Sequence, residues 1–376
     1  MSGLPIDLAT LPGPAQKLLG PAAPGPAKIM AARGIIPGLK PAEIVTVIAL
    51  LTLNDDAKVA EAAKASVAKL PPPMLTGALG ADLHEFVIDL LVEHYAKEAE
   101  VVEKLLRMAQ LSSDSLALLA MRATEQTGEL IATNEKRLLQ SPRAIERLYM
   151  NKQVRMSTAD RLLELAVRNN LELDIPAFKE AATAIQHELV PEPTPEPTFD
   201  DLLFQETEQV AKETALEADE DTHEVDDEGE EKLKDRFLPL YQRVAQMNVT
   251  QKIRRALLGS AAERMLLVRD PNRLVAMAVA KSPMMREDEA ARISASRAVG
   301  EDVLREIAKN RDFTRNYQVK LNLVSNPRTP FTFASRLISH LRESDLRKLS
   351  KSKNVPGAVS TAVRQQLQRK QPGGKR

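Results

Sequence analysis

The chain has 376 residues, with 52 acidic and 52 basic side chains and hence no formal net charge, and 43% of its residues are hydrophobic, which is ordinary for a folded protein. The absence of cysteine excludes disulfides, catalytic thiols and Cys-based zinc sites, and favours a cytoplasmic location. The sequence contains no apolar stretch of about 18 residues, so no membrane-spanning helix is predicted. The N-terminus lacks the pattern of a signal peptide.

The first 40 residues are rich in proline, alanine and glycine, and seven of them are proline. Proline fixes its own φ angle and lacks an amide donor, so it interrupts regular structure. Residues 1–40 are therefore predicted to be a disordered N-terminal segment. Short helical turns near Ala15–Leu19 or Ala27–Arg33 are compatible with the sequence.

From Pro41 onward the sequence predicts short amphipathic helices. The stretch PAEIVTVIALLTL begins with proline at a favourable first helical position, and DLHEFVIDLLVEHY, AEVVEKLLRMAQ and SDSLALLAMRA follow it with apolar residues three and four apart. Each stretch is closed by Ser, Asp, Asn, Gly or Pro, and no alternating strand pattern interrupts them. Residues 41–190 are predicted to form an N-terminal helical domain.

The charge of the chain then changes sign twice. Residues 191–231 contain 17 acidic side chains and one lysine, a net charge of −16, and ten of these carboxylates lie between residues 215 and 231. This composition predicts a disordered acidic linker, in which residues 199–218 have the spacing of a transient amphipathic helix. Residues 232–376 carry 31 basic and 12 acidic side chains, a net charge of +19. They are predicted to form a basic C-terminal helical domain (232–368) and a flexible basic tail (369–376).

Three segments with one pattern indicate an internal repeat. NKQVRMSTADRL begins at Asn151, SPMMREDEAARI at Ser282 and NPRTPFTFASRL at Asn326. Each follows an apolar helix and consists of a turn and then Ala-x-Arg before Leu or Ile, where the small alanine lets neighbouring helices approach closely. The second and third begin 44 residues apart, which is within the roughly 40–47-residue period of paired-helix repeats.

Helix pairs punctuated by LLQSP, MNKQVRMSTADRLLELAVRNN, LVSNPRTP and SKSKNVPGAV resemble bacterial HEAT-like and leucine-rich-repeat-variant helical proteins. The resemblance covers roughly residues 40–190 and 232–368. It implies a binding surface and carries no catalytic residue to this chain. We therefore predict an all-α fold in which two α-solenoid-like domains of HEAT-like helix hairpins are joined by the disordered acidic linker.

The sequence contains no motif for catalysis or for cofactor binding. The five histidines form no HExxH motif, and the P-loop, the dinucleotide fingerprint GxGxxG and the hydrolase motif GxSxG are all absent. We expect the protein not to be an enzyme and to bind neither a cofactor nor a metal ion.

Three basic clusters in the C-terminal domain are candidate contacts to a polyanion or another partner. Arg311 and Arg315 would be neighbours on a helix, and the ring of Tyr317 beside them has the chemistry that stacks on a base. An ordinary solvated helix face is the alternative interpretation for any one of these side chains. The predicted contacts are Lys252, Arg254, Arg255, Arg311, Arg315, Tyr317, Lys320, Arg347, Lys348, Lys351 and Lys353.

The sequence predicts a non-enzymatic scaffold or adaptor that binds a protein partner through helical-repeat surfaces. The alternative is a nucleic-acid-binding protein that acts through residues 232–376. Because the linker tethers its charge of −16 beside a charge of +19, it would screen the basic domain and compete with outside anions. A soluble spacer without this role is the other interpretation of the linker.

Overall fold

The computed structural model describes residues 4–217, 220–226, 230–352 and 354–370. Within these ranges the chain forms 24 α-helices and a single two-stranded antiparallel sheet, so the predicted all-α class is confirmed. The chain divides into unit 1 (Met1–Asp174) and unit 2 (Ile175–Arg376). This division precedes residue 190, where the sequence predicts the first helical domain to end.

Unit 1 contains twelve of the described helices and one short 3-10 helix, Leu8–Thr10. The α-helices are α1 (Gly13–Leu19), α2 (Gly25–Ala32), α3 (Pro41–Leu51), α4 (Ala57–Val67), α5 (Pro72–Ala78), α6 (Glu85–Tyr95), α7 (Ala99–Leu105), α8 (Ser113–Arg122), α9 (Glu125–Ala132), α10 (Glu135–Leu139), α11 (Pro142–Tyr149) and α12 (Met156–Arg168).

Local sequence explains where these helices begin and which face they bury. Glu43 accepts a hydrogen bond from the amide of Lys40 (2.8 Å) and so caps the start of α3. Ser112 accepts from the amide of Ser115 (3.1 Å) at the start of α8. Apolar residues at helical spacing turn inward, and Leu116 of α8 is fully buried where α8 packs between α6 and α11.

The structure differs from the prediction that residues 1–40 are disordered. Pro14 and Pro26 lie in the first turns of α1 and α2, where the missing amide is not needed for the helical hydrogen bonds. Both helices correspond to the short helical turns that are compatible with the sequence near Ala15–Leu19 and Ala27–Arg33. Ala15 and Ala32 are fully buried against the rest of unit 1, so tertiary packing holds a segment that its composition alone does not predict to fold.

Unit 2 contains the other twelve described helices and the two strands, together with 3-10 helices at Asp235–Phe237 and Phe313–Arg315. The elements are α13 (Phe178–Ile185), α14 (Phe199–Glu213), β1 (His223–Val225), β2 (Glu231–Leu233), α15 (Leu238–Gln246), α16 (Val249–Leu258), α17 (Ala261–Leu267), α18 (Arg273–Ala280), α19 (Glu287–Ala295), α20 (Glu301–Lys309), α21 (Tyr317–Ser325), α22 (Phe331–Ile338), α23 (Glu343–Lys351) and α24 (Gly357–Lys370).

The predicted acidic linker contributes ordered elements to unit 2. Helix α14 starts with a reciprocal cap between Thr198 and Asp201 and packs against α15. Its inner face buries Leu203 and Phe204, whereas Phe199 remains 70% exposed. Further along, β1 and β2 pair antiparallel. The structure therefore does not support a linker that is disordered throughout, because a buried apolar stripe offsets the charge of this segment. Residues 371–376 of the predicted tail lie outside the described residues.

The three repeated segments make the same contact, which we name the repeat joint. The first side chain of each segment donates to backbone carbonyls at the end of an earlier helix and accepts from the amide two residues later. The donated bonds run from Asn151 to Ala120 and Ala123 (3.1 and 2.9 Å), from Ser282 to Leu257 (3.4 Å), and from Asn326 to Ser294 and Ser296 (2.9 and 2.8 Å). The accepted bonds come from the amides of Gln153, Met284 and Arg328.

Each joint accompanies a packed pair of helices. The helix that precedes the joint packs on the helix whose end receives the hydrogen bonds: α11 on α8, α18 on α16 and α21 on α19. The alanine expected to allow close approach is buried in all three segments, at Ala159, Ala290 and Ala334. The sequence pattern therefore corresponds to a recurring structural contact.

Candidate functional site

Two of the three residues of the first predicted basic cluster lie inside unit 2 and not at its surface. Arg254 and Arg255 are 0% and 2% exposed, and both guanidinium groups lie over the ring of Phe204, at 5.2 and 4.8 Å. Arg255 donates to Glu263 at 2.5 Å, and Lys252 pairs with Asp270 at 2.9 Å. Buried and paired side chains of this kind stabilise the interior and are not available to an outside polyanion, which corrects this part of the predicted site.

Tyr317 in the second cluster links α21 to α23. The guanidinium of Arg342 lies 4.5 Å from the centre of the Tyr317 ring, and the Tyr317 hydroxyl donates to Asp345 at 2.5 Å. The ring face that Arg342 covers is not free to stack on a base. Arg311 and Arg315 are exposed, with Arg315 paired to Asp312, and Lys320 is half-buried, so the basic residues of this cluster do remain at the surface.

The third cluster forms one face of α23. Arg347, Lys348 and Lys351 are exposed, and Lys351 lies three residues after Lys348 and four after Arg347, so it shares one side of the helix with both. Arg364 of α24 is also exposed, and it donates to the carbonyl of Ser350 (3.4 Å), the residue before Lys351. We name Arg347, Lys348, Lys351 and Arg364 the basic face. The sequence did not single out Arg364, because it stands alone in α24 and joins the others only through packing. Lys353 lies outside the described residues.

The basic face is mounted on a packed group of helices. Between residues 317 and 370 there are eleven basic side chains and only two acidic ones, Glu343 and Asp345. Both acids are already engaged, Glu343 by Arg347 and Asp345 by Tyr317. Beneath this surface, α21–α24 share an apolar core formed by Val324, Ala334, Ile338, Leu341, Leu346, Leu349, Val355, Val359 and Val363. Excess positive charge is thus held on helices with a common core, which favours binding of an anion of extended shape.

The described part of the acidic segment pairs with other basic residues of unit 2. Glu206 pairs with Arg243 at 2.8 Å, and Asp221 pairs with Arg269 at 3.1 Å. Glu231 also pairs with Arg269, at 2.8 Å. None of these cations belongs to the basic face, so these contacts leave that face open.

Packing shifts the pKa of two groups on the strand pair. Burial raises the pKa of Glu231. Hydrogen bonds from Ser296 and the charge of Arg269 lower it by more than burial raises it, so the pKa lies below its usual range. Burial, and then the charge of Arg269, lower the pKa of His223 from 6.5 to about 4, against the opposing charges of Asp221 and Glu231. At neutral pH the strand pair therefore presents a charged Glu231 and a neutral His223.

The lowered pKa of His223 predicts acid sensitivity of unit 2. Between pH 6.5 and about 4 the unfolded chain binds a proton at His223 and the folded chain does not, so stability falls as the pH falls through this window. Replacing His223 by Gln removes the titrating group, and the stability of the variant should change less over the same window. Urea unfolding followed by circular dichroism measures the difference, and parallel pH profiles for both proteins would contradict it.

Comparisons of the chain with protein-family models, with curated proteins and with solved structures found no match. The described residues bring together no group of three or more His, Asp or Glu side chains that could hold a metal ion. None of the described helices is both long enough and apolar enough to cross a membrane. The function is therefore inferred from the geometry of the surface.

Proposed function

We propose that the protein is a non-enzymatic, HEAT-like helical-repeat scaffold whose helices α21–α24 bind the phosphate backbone of a nucleic acid. The observation that carries this proposal is the basic face, in which three exposed cations share one side of α23 and Arg364 of α24 hydrogen-bonds to the same helix. The recurring joint at Asn151, Ser282 and Asn326 supports the repeat architecture. A cytoplasmic location, which fits the absence of cysteine, is part of the same proposal.

The chemistry of the face favours contacts to phosphates over recognition of bases. Lys and Arg neutralise phosphates and release bound counterions, and this supplies affinity without sequence preference. Stacking on bases needs exposed aromatic rings and tolerates any base. Arg342 lies over the ring of Tyr317, whereas Phe331 of α22 is 47% exposed. We therefore propose a binding mode in which affinity depends strongly on salt and weakly on sequence.

The salt dependence of binding tests this proposal. If Lys348, Lys351 and Arg364 each contact one phosphate, together they account for a factor of about 40 in the loss of affinity between about 50 and 200 mM salt. In the triple alanine variant, the loss of affinity between these two salt concentrations should therefore be smaller by this factor. Fluorescence anisotropy with a labelled duplex measures the affinity at each salt concentration. The matched control replaces three exposed lysines of unit 1, Lys58, Lys64 and Lys69.

The control variant changes the net charge by the same amount and should bind as the unaltered protein does. Equal losses in both variants would show that only the overall charge matters, and the proposed interface would then be rejected. The same titration with single-stranded RNA shows which form of nucleic acid binds more tightly.

A protein-binding adaptor is the second candidate function. Three large apolar side chains of unit 1, Met30, Ile35 and Leu53, are 52%, 56% and 51% exposed. Exposed apolar residues of this size favour contact with another protein when they lie together. If the protein shows no salt-dependent affinity for nucleic acid in the titration above, this second function is favoured.

A further inference from the structure

The loop between α19 and α20 forms a concave group of hydrogen-bond donors around the carboxylate of Glu231. One Glu231 oxygen accepts from the Ser296 hydroxyl (2.6 Å) and from the amides of Arg297 (2.9 Å) and Ala298 (3.4 Å). The other accepts from Nε of Arg269 (2.8 Å) and from the same hydroxyl (2.9 Å). We name Arg269, Ser296 and the two amides the cradle.

The donors of the cradle are those that proteins use for oxyanions. Successive backbone amides, a hydroxyl and a guanidinium together form a concave anion site, and a phosphate offers acceptor oxygens to the same donors. The Arg269 side chain is only 8% exposed and that of Glu231 12%. Low exposure strengthens each of these charge-assisted bonds, because little water competes for them.

The cradle is held in place by residues other than Glu231. Asn326 donates to the carbonyl of Ser296 at 2.8 Å, and Arg328 donates to the carbonyl of Ala298 at 3.0 Å. Arg269 donates through Nη1 to the carbonyl of Met265 at 2.7 Å. The donors would therefore keep their positions if the carboxylate left.

Space and positive charge adjoin the cradle. A groove of about 270 Å³ is lined by Arg269, Ala298, Gly300 and Asp302, among other residues. The side chains of Arg297 and Arg328 beside the loop are exposed. A phosphate in the cradle therefore has room for the rest of its ligand and further cations near it.

The carboxylate in the cradle belongs to a short element of unit 2. Glu231 begins β2, which pairs with β1 over only three residues of each strand. A two-stranded sheet of this size is marginally stable without tertiary contacts. Local opening of such an element needs less free energy than unfolding of the unit.

We propose that the cradle is a phosphate-binding site in which Glu231 is the resident internal ligand, and that a phosphate group replaces this carboxylate when β1 and β2 lift away. The phosphate belongs either to a free ion or to a nucleic acid bound at the surface. The acidic segment thereby limits access to one defined site and does not act as a general screen of the basic domain. The free-ion case does not depend on the function proposed for the basic face.

The test removes the internal ligand and supplies inorganic phosphate to the full-length protein. Glu231→Ala empties the cradle and should bind phosphate about tenfold or more tightly than the unaltered protein, since the carboxylate no longer occupies the site. Isothermal titration calorimetry at constant ionic strength measures this. Glu224→Ala is the matched control, because it removes an exposed carboxylate from β1 of the same sheet.

Two further variants identify the cradle as the site. Adding Arg269→Gln to Glu231→Ala should abolish the gain in phosphate affinity. Glu231→Gln alone keeps the side-chain shape and should give a smaller gain in phosphate affinity. The Glu231→Gln variant also serves if the alanine variant fails to fold. No gain in either single variant, or a gain that survives Arg269→Gln, would overturn the proposal.

A second titration identifies the source of the phosphate. Tighter binding of a duplex by Glu231→Ala would assign the cradle to nucleic-acid phosphates, and unchanged duplex binding with a gain for inorganic phosphate would assign it to a free ion. The Lys348, Lys351 and Arg364 alanine variant should bind inorganic phosphate as the unaltered protein does. A result that rejects the proposed phosphate site in the cradle is therefore distinct from one that rejects nucleic-acid binding by the basic face.

Discussion

Replacing Glu289 by alanine is expected to lower the free energy of unfolding of unit 2 by about 3–5 kcal/mol. Arg264 of α17 donates to both Glu289 oxygens, at 2.8 and 2.9 Å, and the two side chains are 4% and 0% exposed. Removing the carboxylate leaves a guanidinium in the interior with only the carbonyl of Gly259 as a direct partner among the hydrogen bonds described. The cost is therefore that of an uncompensated buried charge and not that of one weak surface contact.

An apolar pair at the same positions separates charge from packing. Arg264→Met with Glu289→Leu removes both charges, and it should recover part of the lost stability because the desolvation cost disappears as well. Recovery is expected to be incomplete, since the carbonyl of Gly259 then lacks its donor. Hydrogen exchange measured by mass spectrometry on peptides from α17 and α19 reports the free energy locally.

The exposed pair Asp312–Arg315 provides the matched control. Its side chains are 76% and 79% exposed at an N–O distance of 3.2 Å. Asp312→Asn should change stability by less than about 1 kcal/mol, because water already solvates both charges. A comparably small effect for Glu289→Ala would mean that water reaches Arg264 and that this pair does not stabilise the interior.

Apolar periodicity predicts helices from Pro41 onward, outside the segments that composition marks as disordered. The stretch from Pro41 predicts a helix that the structure places at Pro41–Leu51, and the stretch SDSLALLAMRA corresponds to Ser113–Arg122. These assignments succeed because a helix that buries one face must repeat apolar residues every three to four positions. The repeat was also visible, since its first residue and its alanine have fixed structural roles.

Burial of charged residues was not predictable from local sequence. Arg254 and Arg255 stand in an ordinary basic cluster, and their partners come from elsewhere: Phe204 lies on α14 and Glu263 on α17. Phe204 in turn belongs to the segment that net charge predicts to be disordered. Composition averages over both faces of α14 and so conceals the buried stripe of one face.

The candidate sites were predictable only in part. Arg347, Lys348 and Lys351 are close in sequence and share one helix face, so helical spacing alone predicts their proximity. The cradle brings Glu231 and Arg269 together with the loop at Ser296, and no spacing in the sequence relates these positions. Sites assembled from distant segments depend on tertiary packing, which a single sequence does not display.

Replacing Asn326 by alanine is expected to lower the free energy of unfolding of unit 2 by about 2–4 kcal/mol, as the sum of several lost hydrogen bonds. The side chain is 4% exposed, and it donates to Ser294 and Ser296 while it accepts from the amide of Arg328. Alanine leaves the two carbonyls buried without their donor, and it removes the acceptor of the Arg328 amide. Urea unfolding and hydrogen exchange in α19 and α22 measure the loss.

Two substitutions test whether the joint acts through donation. Asn326→Asp keeps an acceptor for the amide but cannot donate to the carbonyls, so it should destabilise at least as much as alanine. Asn326→Ser introduces the residue that the joint carries at Ser282, where the hydroxyl donates over 3.4 Å, and it should retain part of the stability. Gln365→Ala, an exposed change in α24, should remain within about 0.5 kcal/mol. A loss below about 1 kcal/mol for Asn326→Ala would mean that the shared residue is incidental and that packing at the buried alanines alone holds successive helices together.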